Sequence, residues 1–447
     1  MDELVFDAAS RASDYIAGLG SRRVAPTPEA VERLKLLDIP LQDASLSPLE
    51  VLTELDEIAS PATVASAGGR YFGFVIGGSL PAALAANMLA AAWDQNAVLQ
   101  LASPAASALE EISRKWLLSL LGLPAVSGVG FVSGATMANF TGLAAARHAL
   151  LDRQGWDVEA RGLFGAPPIT VVVGDEVHVS LLKALSLLGL GRERVVRVPV
   201  DGQGRMRPDA LPNLSAPTIL CLQAGNVNTG AFDPAAEIIP VARQTGAWVH
   251  VDGAFGLWAL ACPSRSKLAE GIEQADSLAT DAHKWLNVPY DSGLAFVREP
   301  LHLRAAMSAS AAYLIEVAQR EPNHYVPEMS RRARGVEIWA ALRSLGRSGL
   351  AELVERNCRQ ASRFAEVLRN AGYEVLNQVV LNQVLVSFGD AARTRDVIRR
   401  LQEDGTCWCG GTEWQGRTAM RISVSSWATS DADVERCLEA ILRIAKG

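Results

Sequence analysis

Cysteine is sparse in this chain of 447 residues: Cys221, Cys262, Cys358, Cys407, Cys409 and Cys437 are the only six, and they are scattered. That spread excludes the dense disulfide framework of a small secreted domain, and the six read as reduced thiols. Cys407 and Cys409 form a C-x-C, but no second Cys/His pair stands at metal-ligand spacing, so no metal is expected. No leader is expected either. Residues 1–10 carry Asp2, Glu3 and Asp7 and no apolar segment, unlike a signal peptide. No uncharged apolar stretch reaches the ~18 residues that span a bilayer. Residues 79–92 are apolar but end at Trp93-Asp94-Gln95-Asn96, which suits a buried helix. There is no basic field: 42 Lys and Arg stand against 49 Asp and Glu, a formal net charge of −7. Nucleic acid and membrane are therefore poor partners. Internal repeats and low-complexity tracts are lacking. A cytoplasmic, soluble protein is the expectation.

What is present is apolar bulk, 49% of residues, enough for one large core and a smaller one. Residues 1–66 read as helices broken by Pro26, Pro28, Pro40 and Pro48, an arm without strand signals. Residues 67–335 alternate short β-branched runs with helix-length segments. Strands are predicted at 128–132, 169–173, 195–198, 218–222, 248–251 and 294–297, and helices at 137–151 and 234–245. Runs apolar on both faces, alternating with helices, predict an α/β fold with a mostly parallel sheet covered on both sides. Ligands of such sheets bind at the carboxyl ends of the strands. Residues 336–447 predict a small α+β domain: helices at 336–370, 393–404 and 431–445, and strands at 374–376, 384–388 and 419–425.

Three segments carry chemistry. In Phe131-Val132-Ser133-Gly134-Ala135-Thr136-Met137-Ala138-Asn139 a strand runs through small residues into a helix, exposing N–H groups that could hold a phosphate. The same cluster also suits an ordinary cap. The strand Trp248-Val249-His250-Val251 ends on Asp252, followed by Gly253-Ala254-Phe255-Gly256. Asp252 faces the ligand crevice, or else serves as a cap or an ion-pair partner. His250, deeper on the same face, reads as a satisfied core histidine. In Thr280-Asp281-Ala282-His283-Lys284-Trp285, a lysine in apolar surroundings would become a usable amine nucleophile by desolvation. Alternatively it snorkels to the surface. Gly174-Asp175-Glu176-Val177-His178-Val179-Ser180 lies between the first two and adds a ring that could stack. A phosphate turn, a stacking ring, a strand-end Asp and a downstream Lys, in this order, are what pyridoxal 5′-phosphate (PLP) requires.

From about Tyr71 onward the chain resembles the group II PLP-dependent amino-acid decarboxylases, the aromatic-L-amino-acid and glutamate decarboxylase family, with the aspartate-aminotransferase fold (fold type I). Asp281-Ala282-His283-Lys284-Trp285 is the most specific match; Ser103-Pro104-Ala105 and Arg331-Arg332 ahead of Trp339 match further landmarks. The resemblance implies that Ala135 and Thr136 hold the phosphate and that His178 stacks on the ring. It implies that Asp252 pairs with the pyridine nitrogen, that Ala254 lies against the ring, and that Lys284 forms the Schiff base. Asp281 is placed near the phosphate and His283 beside that Schiff base. The implied reaction is loss of carbon dioxide from an L-amino acid through a quinonoid, giving the amine. Residues 308–327 read as the family's mobile loop, with Tyr313 as proton donor. A homodimer with the active site at its interface is implied, Asn96 reaching the partner's site.

Departures fall around the substrate. Val227 replaces a cofactor-contacting Thr, Gly73 and Ile76 stand where Tyr and Thr are usual, and Asn96 replaces an aliphatic residue, while Phe74 and Tyr290 keep an aromatic wall. Which amino acid is used stays open. Transamination, aldehyde synthesis or carbon–carbon lysis are alternatives on the same cofactor, and a non-catalytic PLP-fold protein is another. Arg421 would clamp a substrate carboxylate in a transaminase, or form a structural ion pair.

Overall fold

The computed structural model describes residues 2–215, 217–309 and 320–447. Two compact units emerge. One comprises Gly77–Ala361 with Asn377–Gln383, and the other Met1–Ile76, Ser362–Leu376 and Val384–Gly447.

The larger unit is built on a seven-stranded sheet of β1 (Gly128–Val132), β2 (Thr170–Gly174), β3 (Val196–Val198), β4 (Thr218–Gln223), β5 (Trp248–Asp252), β6 (Ser277–Asp281) and β7 (Gly293–Val297). Their spatial order is β1-β7-β6-β5-β4-β2-β3. The pairs from β6 through β5, β4 and β2 to β3 are parallel. Only β7 runs against its neighbours β1 and β6, so the other six strands share one direction and present their carboxyl ends together. The sheet is therefore the α/β, mostly parallel one expected, with strand bounds within a residue or so of those read from the apolar runs.

One strand, β6, has no apolar run to announce it. Its Ser-Leu-Ala-Thr-Asp is buried at every position because the polar side chains are satisfied within the fold. Thr280 Oγ1 donates to the Gly253 carbonyl at 2.8 Å, and Ser277 bonds Trp248 and His250. Buried polar groups persist where they are paired. Helix Ala135–Asp152 packs across β5, β6 and β7. Its Ala144, Ala145, Ala146 and Ala149 are buried, and such small side chains let it lie close to the sheet. Phe131, Phe255, Phe296, Trp258 and Trp285 are the largest fully buried groups of this unit, each contributing on the order of 2–3 kcal/mol by removal from water.

The helix predicted over 336–370 is observed as Gly335–Asn370 but is broken at Gly346, whose φ of 60° leaves the helical region. Glycine takes that conformation without a Cβ clash.

In the smaller unit, β8 (Glu374–Val375), β9 (Gln383–Ser387), β10 (Gly410–Trp414) and β11 (Arg417–Ser423) form a sheet in the order β10-β11-β9-β8. β10 escapes sequence reading because it opens on two glycines and alternates between half-buried and exposed positions. Helices Asp2–Gly18, Pro28–Arg33 and Pro48–Ala59 bury none of their residues. Pro28 and Pro48 open their helices, where a missing N–H costs nothing, and Ser47 and Glu50 close a capping box. Phe6 is 76% exposed and Leu41 92%.

Candidate active site

The expected chemical groups of the larger unit lie at the carboxyl ends of its parallel strands. β5 ends on Asp252 and its neighbour β6 ends on Asp281; Lys284 follows three residues later. Asp252 is buried, and its carboxylate accepts from Asn139 Nδ2 at 3.1 Å and from the Ala254 N–H at 3.2 Å. Two donors leave lone pairs for a third partner. His250 is fully buried and hydrogen-bonded at both ring nitrogens, to Ser277 and Asn139, which bears out its reading as a satisfied core histidine.

Lys284 Nζ lies 3.0 Å from Asp281 Oδ2, with the lysine side chain 18% exposed. The loop thus supplies a carboxylate partner where the sequence suggested apolar surroundings alone. Asp281 Oδ1 takes the N–H of Ala135 and sits 3.4 Å from His283 Nε2, while Trp258 Nε1 donates to the Asp281 carbonyl at 3.0 Å. His283 accepts from the Ser292 N–H at Nδ1, 3.0 Å, and stacks on Tyr290 with ring centroids 4.3 Å apart. Burial pushes the His283 pKa down from 6.5. The neutral ring therefore carries its proton on Nε2, facing Asp281. Gly77 lies against this loop so closely that a Cβ there would meet the Lys284 carbonyl oxygen.

Helix Ala135–Asp152 starts from Gly134, which offers no side-chain cap. A Cβ on Gly134 would come within 3.1 Å of the His283 ring and 3.2 Å of the Asp281 carboxylate. The Ala135 N–H is taken by Asp281, so the helix start presents its next N–H groups, from Thr136 onward, and partial positive charge, the environment an anion selects. His178 caps helix Val179–Leu187 after β2: its Nδ1 accepts from the Ser180 N–H at 3.3 Å and lies 2.7 Å from Ser180 Oγ. The neighbouring Glu176 ties down the turn after β4, receiving Asn226 Nδ2 at 2.9 Å on its side chain and Gln223 Nε2 at 2.8 Å on its carbonyl.

A primary amine, a strand-end carboxylate with spare lone pairs and a helix N-terminus whose N–H groups beyond Ala135 have no side-chain cap fit the aldehyde, ring nitrogen and phosphate of PLP. Other expected residues are placed differently. Asn96 is exposed and spends its amide within its own chain, on Ser330 Oγ at 3.1 Å and the Arg331 N–H at 3.2 Å. Tyr290 is 55% exposed. Phe74 belongs to the other unit, where it tilts over Trp408 at 5.5 Å. Arg421, on β11 of that unit, has no ion pair among the described residues; burial lowers its pKa from 12.5. Tyr313 lies outside the described residues. Asn139 and Glu176 escaped sequence reading. Asn139 lies one helical turn beyond the expected phosphate turn, a signal visible only once that turn is placed.

Comparison with known proteins gives one answer. The conserved domain of pyridoxal-dependent decarboxylases matches residues 28–389. A tyrosine decarboxylase of Oryza sativa subsp. japonica is 30% identical over 390 residues, 81% of this chain and 72% of that protein. An acidic amino acid decarboxylase of Bos taurus is 29% identical over 365 residues, 78% and 68% of the two chains. The crystal structure of Oryza sativa TDC with PLP and tryptamine superposes with a TM-score of 0.91 at 24% identity, covering 100% of this chain and 97% of that one, a likeness of fold. With the expected architecture in place and a site suited to the cofactor, the chain belongs to the pyridoxal-dependent decarboxylase family, enzymes that remove the carboxyl group of an amino acid with the help of PLP.

Proposed function

We propose that this chain converts an L-amino acid to its amine and carbon dioxide, with Lys284 as the attachment point for PLP. The observation that carries the proposal is the placement of the Lys284 amine and the Asp252 carboxylate after neighbouring strands of one sheet edge, each held by its own partner, Asp281 and Asn139. Bound PLP supplies an electron sink for the bond broken at Cα.

The chain's own groups divide the remaining work. Asp252 holds a proton at the ring nitrogen, because a carboxylate beside it favours the charged form. The helix start at Thr136, with Ala135 beside it, would hold the phosphate, and His178 and Ala254 would contact the cofactor ring. Asp281 takes the Lys284 ammonium when the substrate amine has replaced it. His283, stacked on Tyr290, borders the amine, and Asn96 and Tyr290 are assigned to the substrate side. The exposed apolar side chains of the N-terminal helices, Phe6 and Leu49 among them, and of the connecting loop, such as Leu41, support a homodimer in which a second copy covers them. Among the described residues no helix is long and apolar enough to cross a membrane.

The relatives act, by name, on aromatic or acidic amino acids, so the test is a panel. Purified protein with PLP is given aromatic, acidic and basic L-amino acids, and carbon dioxide, amine, keto acid and aldehyde are measured. Equal carbon dioxide and amine from at least one is expected. Keto acid without carbon dioxide from every substrate would overturn the proposal. Lys284→Ala should lose the visible cofactor band; a borohydride-reducible cofactor link surviving in that variant would remove Lys284 from the site.

A further inference from the structure

Behind Asp252 runs an unbroken chain of buried side chains. Trp248 Nε1 donates to Ser277 Oγ at 2.8 Å, and Ser277 Oγ lies 2.8 Å from His250 Nδ1. His250 Nε2 lies 2.8 Å from Asn139 Oδ1, and Asn139 Nδ2 donates to Asp252 Oδ2 at 3.1 Å. Ser277, His250 and Asn139 have no exposed surface, and Trp248 and Asp252 have at most 5%. Gly142 makes room for the imidazole: a Cβ there would come within 3.0 Å of it.

The direction of every proton in this chain follows from its fixed end. An indole N–H only donates, so the Ser277 oxygen accepts from Trp248. Among the described residues the Ser277 hydroxyl then has one acceptor, His250 Nδ1. A neutral ring with its lone pair on Nδ1 carries its hydrogen on Nε2, which turns the Asn139 carbonyl toward His250 and its NH₂ toward Asp252. Asp252 is left as the acceptor of the Asn139 N–H. The reverse orientation, with a protonated Asp252 donating to Asn139, would send hydrogens along the chain to Ser277 and strand its hydroxyl proton in the core, an expensive outcome. Burial acts in the same sense, keeping His250 neutral.

We infer that Asn139 and His250 are positioning residues that lock Asp252 as an oriented acceptor for the cofactor's ring nitrogen, with the polarity of the lock set by the Trp248 indole. The inference rests on the proposed cofactor role of Asp252 and goes beyond it, since it gives function to residues that do not touch the cofactor. Trp248 opens the strand that Asp252 closes, four residues or about 13 Å away at strand spacing.

The test reads the cofactor rather than turnover. Wild type, Asn139→Leu, Trp248→Phe, His250→Phe and His250→Gln are loaded with PLP labelled with ¹⁵N at the ring, and ring-nitrogen protonation is followed by NMR across pH beside the cofactor dissociation constant. Glutamine can donate toward Asn139 and accept from Ser277; phenylalanine matches the size of the ring but does neither. On this inference Asn139→Leu, Trp248→Phe and His250→Phe bind PLP on the order of 10-fold more weakly, the effect of losing an oriented charge-assisted bond. They also lose ring protonation at lower pH than wild type, and His250→Gln restores both. If His250→Phe matches wild type, or if Trp248→Phe changes neither readout while remaining folded, the inference is overturned and the Lys284 assignment stands. If wild type itself takes up no PLP, the proposed function falls and this inference with it. Should Asn139→Leu fail to fold, the Trp248 and His250 variants decide alone.

Discussion

His250 gives the sharpest forecast of stability. Its ring has no exposed surface, and burial pushes its pKa from 6.5 down to about 3. A histidine depressed in the folded state adds stability that is fully present above its unfolded pKa and is lost as pH falls toward the folded one. Between pH 7 and pH 4.5 the unfolded chain takes up this proton and the native chain does not. Linkage puts the loss at about 2–3 kcal/mol. His250→Gln keeps a donor toward Asn139 and an acceptor toward Ser277 but does not titrate. The quantity to follow is therefore the difference between wild type and His250→Gln, in which the acid sensitivity common to both cancels. A chain with two compact units need not unfold in one step, so melting of the larger unit is tracked by its buried tryptophans, Trp258 and Trp285. At roughly 1–2 °C per kcal/mol for a chain of this length, the wild type should lose roughly 3–5 °C more than the variant over that pH range. Parallel curves for the two proteins would refute the reasoning, because they would mean that the ring is either charged in the native state or free to exchange with water.

Other perturbations have definite outcomes. Glu110 is fully buried, 2.6 Å from Arg331 and 3.4 Å from Arg320; Glu110→Ala leaves a buried guanidinium uncompensated and should cost about 3–5 kcal/mol, whereas a change in denaturation midpoint equivalent to less than about 1 kcal/mol would contradict this. The His148 pKa is raised from 6.5, chiefly by its hydrogen bond to Glu159 at 2.7 Å. The stability from that bond is present below pH 6.5 and lost as pH rises through the folded pKa, so the thermal advantage of wild type over His148→Gln should shrink from about pH 6 to about pH 8.5; a constant gap would argue against the pair. Tyr313, the loop phenol assigned to proton delivery by family resemblance, should on change to Phe leave carbon dioxide release in place. Amine formation should fall by ~10²–10⁴-fold, with aldehyde, ammonia and hydrogen peroxide appearing instead as dissolved dioxygen and water are consumed, and an unchanged amine rate would exclude it as donor.

The fold was legible wherever burial on both faces wrote itself as a continuous apolar run. Gly128–Val132 and Trp248–Asp252 are buried at every position and read as strands at sight. β6 is buried just as fully but is spelled with Ser, Thr and Asp, and only the partners of Ser277 and Thr280 make its burial affordable. For the site, order and spacing pointed to the loops carrying Ala135, His178, Asp252 and Lys284. What they could not supply was the layer behind. Asn139 looks like any polar residue in a helix until the helix is laid across β5, and the partnership of Lys284 with Asp281 depends on how the β6–β7 loop turns back.

The single reversed strand has a consequence for synthesis. β1 sits at the sheet edge, and among the described residues its neighbour in the sheet is β7, with Gly128 facing Val297, a separation of 297 − 128 = 169 residues. On the ribosome, at about 5–20 residues per second, β1 waits roughly 10–30 s for its partner to be made. During that time an apolar strand, Gly-Val-Gly-Phe-Val, has an open edge of the kind that recruits other chains. Lys284 emerges just before β7, so the pairing that closes this edge also brings the helix start at Ala135 up to the Asp281 loop. The nascent chain thus passes from its most aggregation-prone form to one able to take up its cofactor in a single late step, which makes cofactor supply during translation a lever on yield.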